Sequence, residues 1–437
     1  MSIIQSSPRA VSGSEPGRAT NGQTVRVAVL VNLFRNETSG GHVKCWEHFA
    51  NAAIREKSID LTIYFSGDEN HTEVRSDNVR YRYLRPVFST AKLPFLRGAP
   101  DQTDIAFYHP RLAETLDNYD VVHTTDAYFA FADTAVRVAG KRHIPLIHSV
   151  HTDTPGYTRT FTQELLEKTQ AGRFLARELR LPERLERYLE RKLAQHQKRA
   201  AVTFTSSPHH RAQAETAVPA SQIRELDRGI DKDCFSPRHH DRSRLRFLYG
   251  IPEDRFLVAY AGRLDCCKNI RLFFDAFDRD WLEAHNIHLL FAGQGEARSI
   301  IAAHLGDRAI FSGNIHQQNL GVVLASADLL VFPSMLETFG NVVRESLASG
   351  TGVLLAQEGG MTGDARPSQV KGEEFGLYLP GREPNVWRET LAGLSADQAR
   401  VRSWGRAAGI WAGRHLPTWH DVLVSDLLPV WHNPVET

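Results

Sequence analysis

Short apolar runs recur along this chain, and each leads into a stretch whose apolar residues fall at helical spacing. The first run, residues 25–33, is rich in β-branched residues, the pattern of a strand buried on both faces. It passes through Ser39-Gly40-Gly41 into a helical stretch, 42–56, where Val43, Trp46, Phe49, Ala50 and Ala53 share one face. Strand, glycine turn and helix open a βαβ unit. Further strand-like runs lie at 61–65, 121–123, 145–150 and 201–205. A second set follows at 256–261, 288–292, 309–312, 329–333 and 352–356, with helical stretches at 270–277, 297–305, 319–326 and 341–349. The charged, aperiodic segment 226–237 separates the sets. An α/β chain that alternates in this way, in two halves of similar size, predicts two Rossmann-like doubly wound domains facing a cleft.

Length and composition agree with that reading and remove others. A chain of 437 residues exceeds one ordinary core. The formal net charge of +1 offers no global field for nucleic acid, which excludes it as an expected partner. Cys45, Cys234, Cys266 and Cys267 match no disulfide or zinc spacing, so a reducing, cytoplasmic setting is expected. No apolar run is long enough for a membrane span. Residues 1–23, rich in Ser, Gly, Pro and Arg, read as a disordered leader.

The densest chemistry lies in 332–350, FPSMLETFGNVVRESLASG. A strand ends, a loop carries Glu337, and Gly340 precedes a helix beginning near Asn341. A helix N-terminus at the carboxyl end of a parallel strand presents free N–H groups to phosphate. Glu337 and Glu345 would repel that anion, but they suit the hydroxyls of a sugar and a ribose. Each is also readable as an ordinary exposed charge. In 260–269, YAGRLDCCKN, Gly262 ends a strand, and Arg263 and Lys268 follow at a spacing suited to a diphosphate. Solvated loop cations are the bland alternative. Gly40 and Gly41 let the backbone approach a ligand, but they form neither a dinucleotide fingerprint nor a P-loop.

His151, within HSVHTDTPGY, follows a strand and can donate to a ligand oxygen or move a proton, with Asp153 beside it. No ligand spacing indicates a metal. The segment 159–199 reads as a long basic helix, with 11 Lys or Arg against 6 Glu. Leu175, Leu179, Leu185, Leu189 and Leu193 form its stripe. Arg173, Arg177, Arg180, Arg184, Arg187 and Arg191 surround that stripe. It fits either a face packed on the core or a peripheral contact with an anionic membrane.

Together these residues resemble the family-4 retaining glycosyltransferases (glycosyltransferase group 1), which have the GT-B architecture. Glu337 to Glu345 is similar to their E-x7-E motif. Gly262-Arg263 with Lys268-Asn269 is similar to their G-R-x(4)-K-N segment. Asp227 to Asp231, then Phe235 and Pro237, resembles the segment that opens their second domain. Residues 291–295, FAGQG, and Ser312-Gly313 fit two further loops. The resemblance implies an N-terminal acceptor domain, 24–228, completed by a C-terminal helix, 416–437, and a donor domain, 229–415.

By the same resemblance, Arg263 and Lys268 bind the donor diphosphate, Glu345 the ribose and Glu337 the transferred sugar. Gly40, Gly41, Gly262, Gly313, Phe339, Gly340 and Asn341 line the donor. His151 stands at the sugar–acceptor junction, with Asp153 and Tyr157 on the acceptor side. The substrate implied is a UDP- or GDP-hexose, used without metal or cofactor, with a glycan, lipid or small molecule as acceptor. A sugar-nucleotide epimerase and a non-catalytic sugar-nucleotide-binding protein are the alternatives. The chain departs from the family pattern at Gly352, at Cys266-Cys267, and at Asp227-Arg228, where an Asn is usual.

Overall fold

The computed structural model describes residues 24–36, 39–92, 103–337, 339–358 and 374–434. The leader at 1–23 lies outside the described residues. The first half forms one sheet from β1 (Val25–Phe34), β2 (Ile59–Ser66), β3 (His71–Ser76), β4 (Val79–Leu84), β5 (Val121–Thr124), β6 (Leu146–Ser149), β7 (Val202–Thr205) and β8 (Ile223–Glu225). Their spatial order is β3-β4-β2-β1-β5-β6-β7-β8. Neighbours run parallel except β3 with β4.

The second half adds β9 (Phe256–Ala261), β10 (Ile287–Ala292), β11 (Ala309–Gly313), β12 (Leu329–Phe332), β13 (Gly352–Ala356) and β14 (Gly376–Leu379). This sheet is parallel throughout, in the order β11-β10-β9-β12-β13-β14. The strand sequence therefore reverses between β9 and β12. In an open α/β sheet that reversal leaves a crevice beyond the strand ends, where ligands bind.

Burial explains which strands were legible. Every residue of β9, β10, β12 and β13 is buried, so these strands read as unbroken apolar runs. The antiparallel edge strand β3, HTEVRS, has no buried residue, and its sequence carries no apolar pattern. The helix following β1 spans Gly41–Ala53, close to the expected 42–56, and buries Val43, Trp46, Phe49, Ala50 and Ala53 as the spacing required.

The segment 159–199 is not one helix. It is Thr154–Glu167, Gln170–Arg177 and Leu181–Gln197. The breaks have local causes. Thr169 accepts a hydrogen bond from Gly172 N–H and starts the second helix, and Arg180 takes a left-handed φ of 48° before Pro182 starts the third. Of the expected stripe, Leu193 is buried, Leu175, Leu185 and Leu189 are half-buried, and Leu179 is exposed. The six arginines are all exposed.

The chain crosses between the halves twice, side by side. Ile230 pairs with Thr418 in a parallel bridge, and Ile230 N–H donates to the Pro417 carbonyl at 2.9 Å. A β-carbon on Gly229 would lie 2.2 Å from Trp419 N, so this crossing tolerates no side chain there. Beyond it, helix Trp419–Val422, a π-helical stretch Leu423–Leu427 and helix Leu428–His432 lie on the first sheet. Val422, Leu423, Leu427 and Trp431 join its core. The second core holds Trp387, Trp404 and Trp411.

Candidate active site

The strand reversal between β9 and β12 brings the two richest motifs together. Gly262 follows β9 with φ 151°, and a β-carbon on Gly293, after β10, would sit 1.9 Å from the Gly262 carbonyl. Gly313, ending β11, has φ 68°, and its carbonyl accepts from Gly293 N–H at 2.9 Å. Side chains at Gly262 and Gly293 would obstruct this edge.

Arg263 pairs with Asp265 at 2.9 Å. Asp265 also caps the turn Cys266–Lys268, accepting from Lys268 N–H. The Lys268 ammonium pairs with the Glu337 carboxylate and donates to Tyr157 Oη at 2.9 Å. Tyr157 in turn donates to the Leu336 carbonyl at 3.0 Å. Burial opposes charge on Lys268, but Glu337 and Tyr157 outweigh it and hold the ammonium pKa above its ordinary value. Burial, and then the Glu337 charge, push the Tyr157 phenol up to about 12. Tyr157 belongs to helix Thr154–Glu167 of the first half, so this contact spans the cleft. The guanidinium of Arg263 lies 5.7 Å and the Lys268 ammonium 5.6 Å from its ring centroid.

Two helix N-termini face each other here. Helix Gly41–Ala53 starts at Gly40, and helix Asn341–Ala348 starts at Gly340 with a left-handed φ of 74°. Neither has a side-chain cap. A β-carbon on Gly41 would lie 3.5 Å from Asn341 Nδ2, whereas one on Gly40 would meet open space. Uncapped N–H groups on both sides make the gap favourable for an anion. Buried Asn341 Oδ1 and His42 Nε2 have no hydrogen-bond partner among the described residues, as expected of groups lining a ligand site. Glu345 lies within the helix Asn341–Ala348, and desolvation pushes its carboxyl up to about 7.

Phe339 sits between the motifs, 5.3 Å from the Arg228 guanidinium and 4.9 Å from that of Arg344. On the first sheet His151 lies just past β6. Its ring stacks on His42 at 4.6 Å and meets Trp46 at 5.5 Å. Asp153, two residues on, accepts from Gly156 N–H at 3.1 Å and caps its helix. That is a structural task the sequence reading did not assign. The reading also passed over His42, Ser149, Arg228 and Arg344. Of these, Arg228 carried a signal, as the residue standing at the family's usual Asn. The free thiols of Cys266 and Cys267 lie 3.8 Å apart. Hydrogen bonding to Cys267, burial and the Glu164 carboxylate hold the Cys266 thiol protonated. Among the described residues no group of three or more His, Cys, Asp and Glu is arranged for a metal ion.

This architecture, two Rossmann-like domains about a cleft, is that of the GT-B glycosyltransferases. Residues 39–233 match the family described as Glycosyltransferase Family 4, and residues 241–409 match Glycosyl transferases group 1. The chain belongs to the group 1, family-4 glycosyltransferases. It is 27% identical over 279 residues to the sulfoquinovosyl transferase SQD2 of Arabidopsis thaliana, a match covering 62% of this chain and 49% of that protein. The chain thus spans about half the length of that curated relative. Among solved structures it is similar to sucrose-phosphate synthase from Thermosynechococcus elongatus, with TM-score 0.64 and 19% identity over 92% of this chain and 96% of that one. It is also similar to Anabaena HepE in complex with UDP and glucose, with TM-score 0.60 and 15% identity over 91% and 97%.

Proposed function

We propose that this protein is a retaining glycosyltransferase that moves a hexosyl group from a UDP- or GDP-sugar to a lipid or saccharide acceptor in the cytoplasm. One observation carries the reading. Lys268, Arg263, Glu337 and the N-terminus of helix Asn341–Ala348 converge where the strand order reverses. Cations and free N–H groups there suit a diphosphate, and the two carboxylates suit hydroxyls. The UDP and glucose bound by the similar Anabaena protein support a sugar-nucleotide donor.

In this reading Arg263, Lys268 and the backbone of Phe339, Gly340 and Asn341 hold the diphosphate, with Gly40, Gly41, Gly262 and Gly313 allowing its approach. Glu345 takes the ribose hydroxyls and Glu337 the hexose. Tyr157 leaves Lys268 as the donor enters. As the glycosidic bond breaks, negative charge grows on the departing diphosphate. Arg263, Lys268 and the helix terminus stabilise that charge without a metal ion, and the acceptor hydroxyl attacks from the same face and passes its proton to the departing phosphate oxygen. Closure about the paired connections excludes water. His151, Asp153 and Tyr157 border the acceptor.

The test is incubation with a panel of UDP-, GDP- and ADP-sugars, reading released nucleoside diphosphate and thermal stabilisation. One donor is expected to stand out, and Glu337→Ala is expected to abolish its turnover while the fold persists. Stabilisation without turnover, with or without acceptors, would favour a binding protein. An epimerised sugar nucleotide would favour an epimerase.

The exposed arginines of 159–199 favour an anionic lipid surface as the acceptor's setting. They accompany Phe174 and Tyr188, each 58% exposed. No helix among the described residues is long and apolar enough to cross a membrane. Changing Arg173, Arg177, Arg184 and Arg191 to Glu is expected to abolish co-sedimentation with anionic vesicles. Unchanged sedimentation would remove the membrane from this reading.

A further inference from the structure

A buried hydrogen-bond chain runs from the C-terminal helix to the connection between the halves. Trp431 Nε1 donates to His123 Nδ1 at 3.1 Å. His123 Nε2 lies 2.9 Å from Ser149 Oγ, and Ser149 Oγ lies 2.8 Å from His151 Nε2. His151 Nδ1 receives Arg228 Nη2 at 3.0 Å. Both ends of the chain are groups that can only donate: an indole N–H and a guanidinium. They fix the protons between them. Since Trp431 donates to His123 Nδ1, the neutral His123 ring carries its hydrogen on Nε2. Since Arg228 donates to His151 Nδ1, the neutral His151 ring also carries its hydrogen on Nε2. Ser149 Oγ therefore accepts from both rings, using both of its lone pairs.

Arg228 is itself held. It is 3% exposed, and its Nη1 donates to the Asp227 carbonyl at 3.1 Å. It lies over Phe339 of the second half, and the Asp227 carboxylate pairs with Arg344. The residue departing from the family's usual Asn thus ties the connection, the first sheet and the sugar-side loop together.

We propose that Arg228 is a positioning residue for the transfer reaction, resting on the function proposed above. It fixes His151 as the Nε2–H tautomer, flat against His42, with both ring nitrogens engaged. His151 then shapes the junction between sugar and acceptor, keeps its Nε2 hydrogen and relays no proton during transfer. Buried groups around it act in the same sense. Desolvation, then the positive charge of Arg228, then His42 of the first helix, His123 of β5 and His148 of β6 all oppose its protonation.

The test uses the full chain labelled with 15N-histidine. Long-range proton–nitrogen spectra report which ring nitrogen is protonated, and His151→Asn identifies the His151 signals. In the native protein His151 is expected as Nε2–H, unchanged from about pH 5.5 to about pH 8. Arg228→Lys keeps a charge that can only donate and is expected to keep that tautomer. Arg228→Met, which cannot donate, is expected to yield mixed tautomers, to lower kcat about tenfold to a hundredfold with the donor KM little changed, and to add an acid limb to the pH profile. An Nδ1–H ring in the native protein, or a native-like His151 spectrum in Arg228→Met, overturns the proposal. The spectra need no substrate. If the native protein releases no nucleoside diphosphate from any donor, the proposed function fails, while the tautomer result still stands or falls on its own.

Discussion

The carboxyl edges of the two sheets meet at one cleft, yet they are built from opposite materials. The first edge is closed by neutral polar side chains. His123, Thr124, Thr125, His148, Ser149, Thr203 and Thr205 are buried and mostly hydrogen-bonded to one another or to backbone. The second edge is opened by Gly262, Gly293 and Gly313, and the charged Arg263, Lys268 and Glu337 stand around it. A neutral network cannot stabilise a departing diphosphate, but it can hold a surface of fixed shape. A charged edge can do the electrostatic work. In the proposed reaction the first half positions and the second half reacts.

The largest expected effect is that of acid on the first half. Burial lowers His42, His123 and His148 to about 3, and takes His151 and His196 well below the ordinary range. These rings stay neutral when folded but charge when unfolded. Their contribution is therefore whole above the unfolded pKa of about 6.5 and is lost as pH falls, by about 1.4 kcal/mol per pH unit for each ring. Glu345 has the opposite sign. Its raised pKa adds stability at low pH, which is lost as pH rises from about 4.5 to about 7. Seven lowered rings in the first half, with His48 and His210 included, outnumber its raised Asp126, Glu186 and Asp426, whereas the second half sets one lowered ring, His288, against Glu345. The first half is therefore expected to lose amide-exchange protection by about pH 5 while the second retains it. Equal loss in both halves would contradict the division.

The next effect falls on the charged edge. Lys268→Ala leaves Glu337 buried without its cation. It is expected to cost about 3–5 kcal/mol of stability and about 10²–10³-fold in donor turnover. Lys268→Met with Glu337→Gln removes both charges. That pair should recover most of the stability, measured by denaturant unfolding, and none of the turnover. If the double variant were active, the second edge would not be the reacting one.

The two edges also differ in how legible they were. Gly262, Arg263, Lys268, Glu337 and Glu345 lie in two short segments, and their spacing survives as a written motif. β9, β10, β12 and β13 were equally plain, because burial on both faces leaves apolar runs. The first edge is assembled from residues far apart in the chain. Trp431 and His123 are 308 positions apart, and Arg228 and His151 are 77 apart. No local pattern joins them, and histidines and serines in short strands resemble ordinary polar residues. Tyr157 on Lys268 was hidden for the same reason, since it joins positions 111 apart. β3 was missed because an exposed edge strand needs no apolar face. The break at Arg180 did leave a mark, since the four-residue leucine spacing is interrupted between Leu179 and Leu185 and Pro182 stands in the gap.

A smaller change sharpens what the first edge does. Trp431→Phe keeps most of a fully buried ring but removes the donor to His123. One unsatisfied buried acceptor is expected to cost about 1–3 kcal/mol. The His123 tautomer is expected to become mixed, while donor binding by the second edge stays unchanged in calorimetry. Weakened donor binding in this variant would mean that a change at His123 is transmitted through His151, Arg228 and Asp227 to Arg344 of the second half.

The smallest expected effect concerns a second-half carboxyl. Desolvation pushes the Glu345 carboxyl up to about 7, which brings its ionisation near neutral pH. A carboxylate accepts from two ribose hydroxyls at once, whereas a carboxylic acid gives up one acceptor site to its own proton. Nucleoside diphosphate affinity should therefore rise as pH increases through about 7, by a factor of about three to ten. Glu345→Gln cannot ionise. It should bind weakly and with a flat pH profile, because its amide resembles the protonated acid in having a single acceptor oxygen. Affinity measured against pH for both proteins decides this. A profile in the native protein as flat as that of the variant would mean that Glu345 does not face the ribose. The free N–H groups of helix Asn341–Ala348 would then hold the diphosphate without help from that carboxyl.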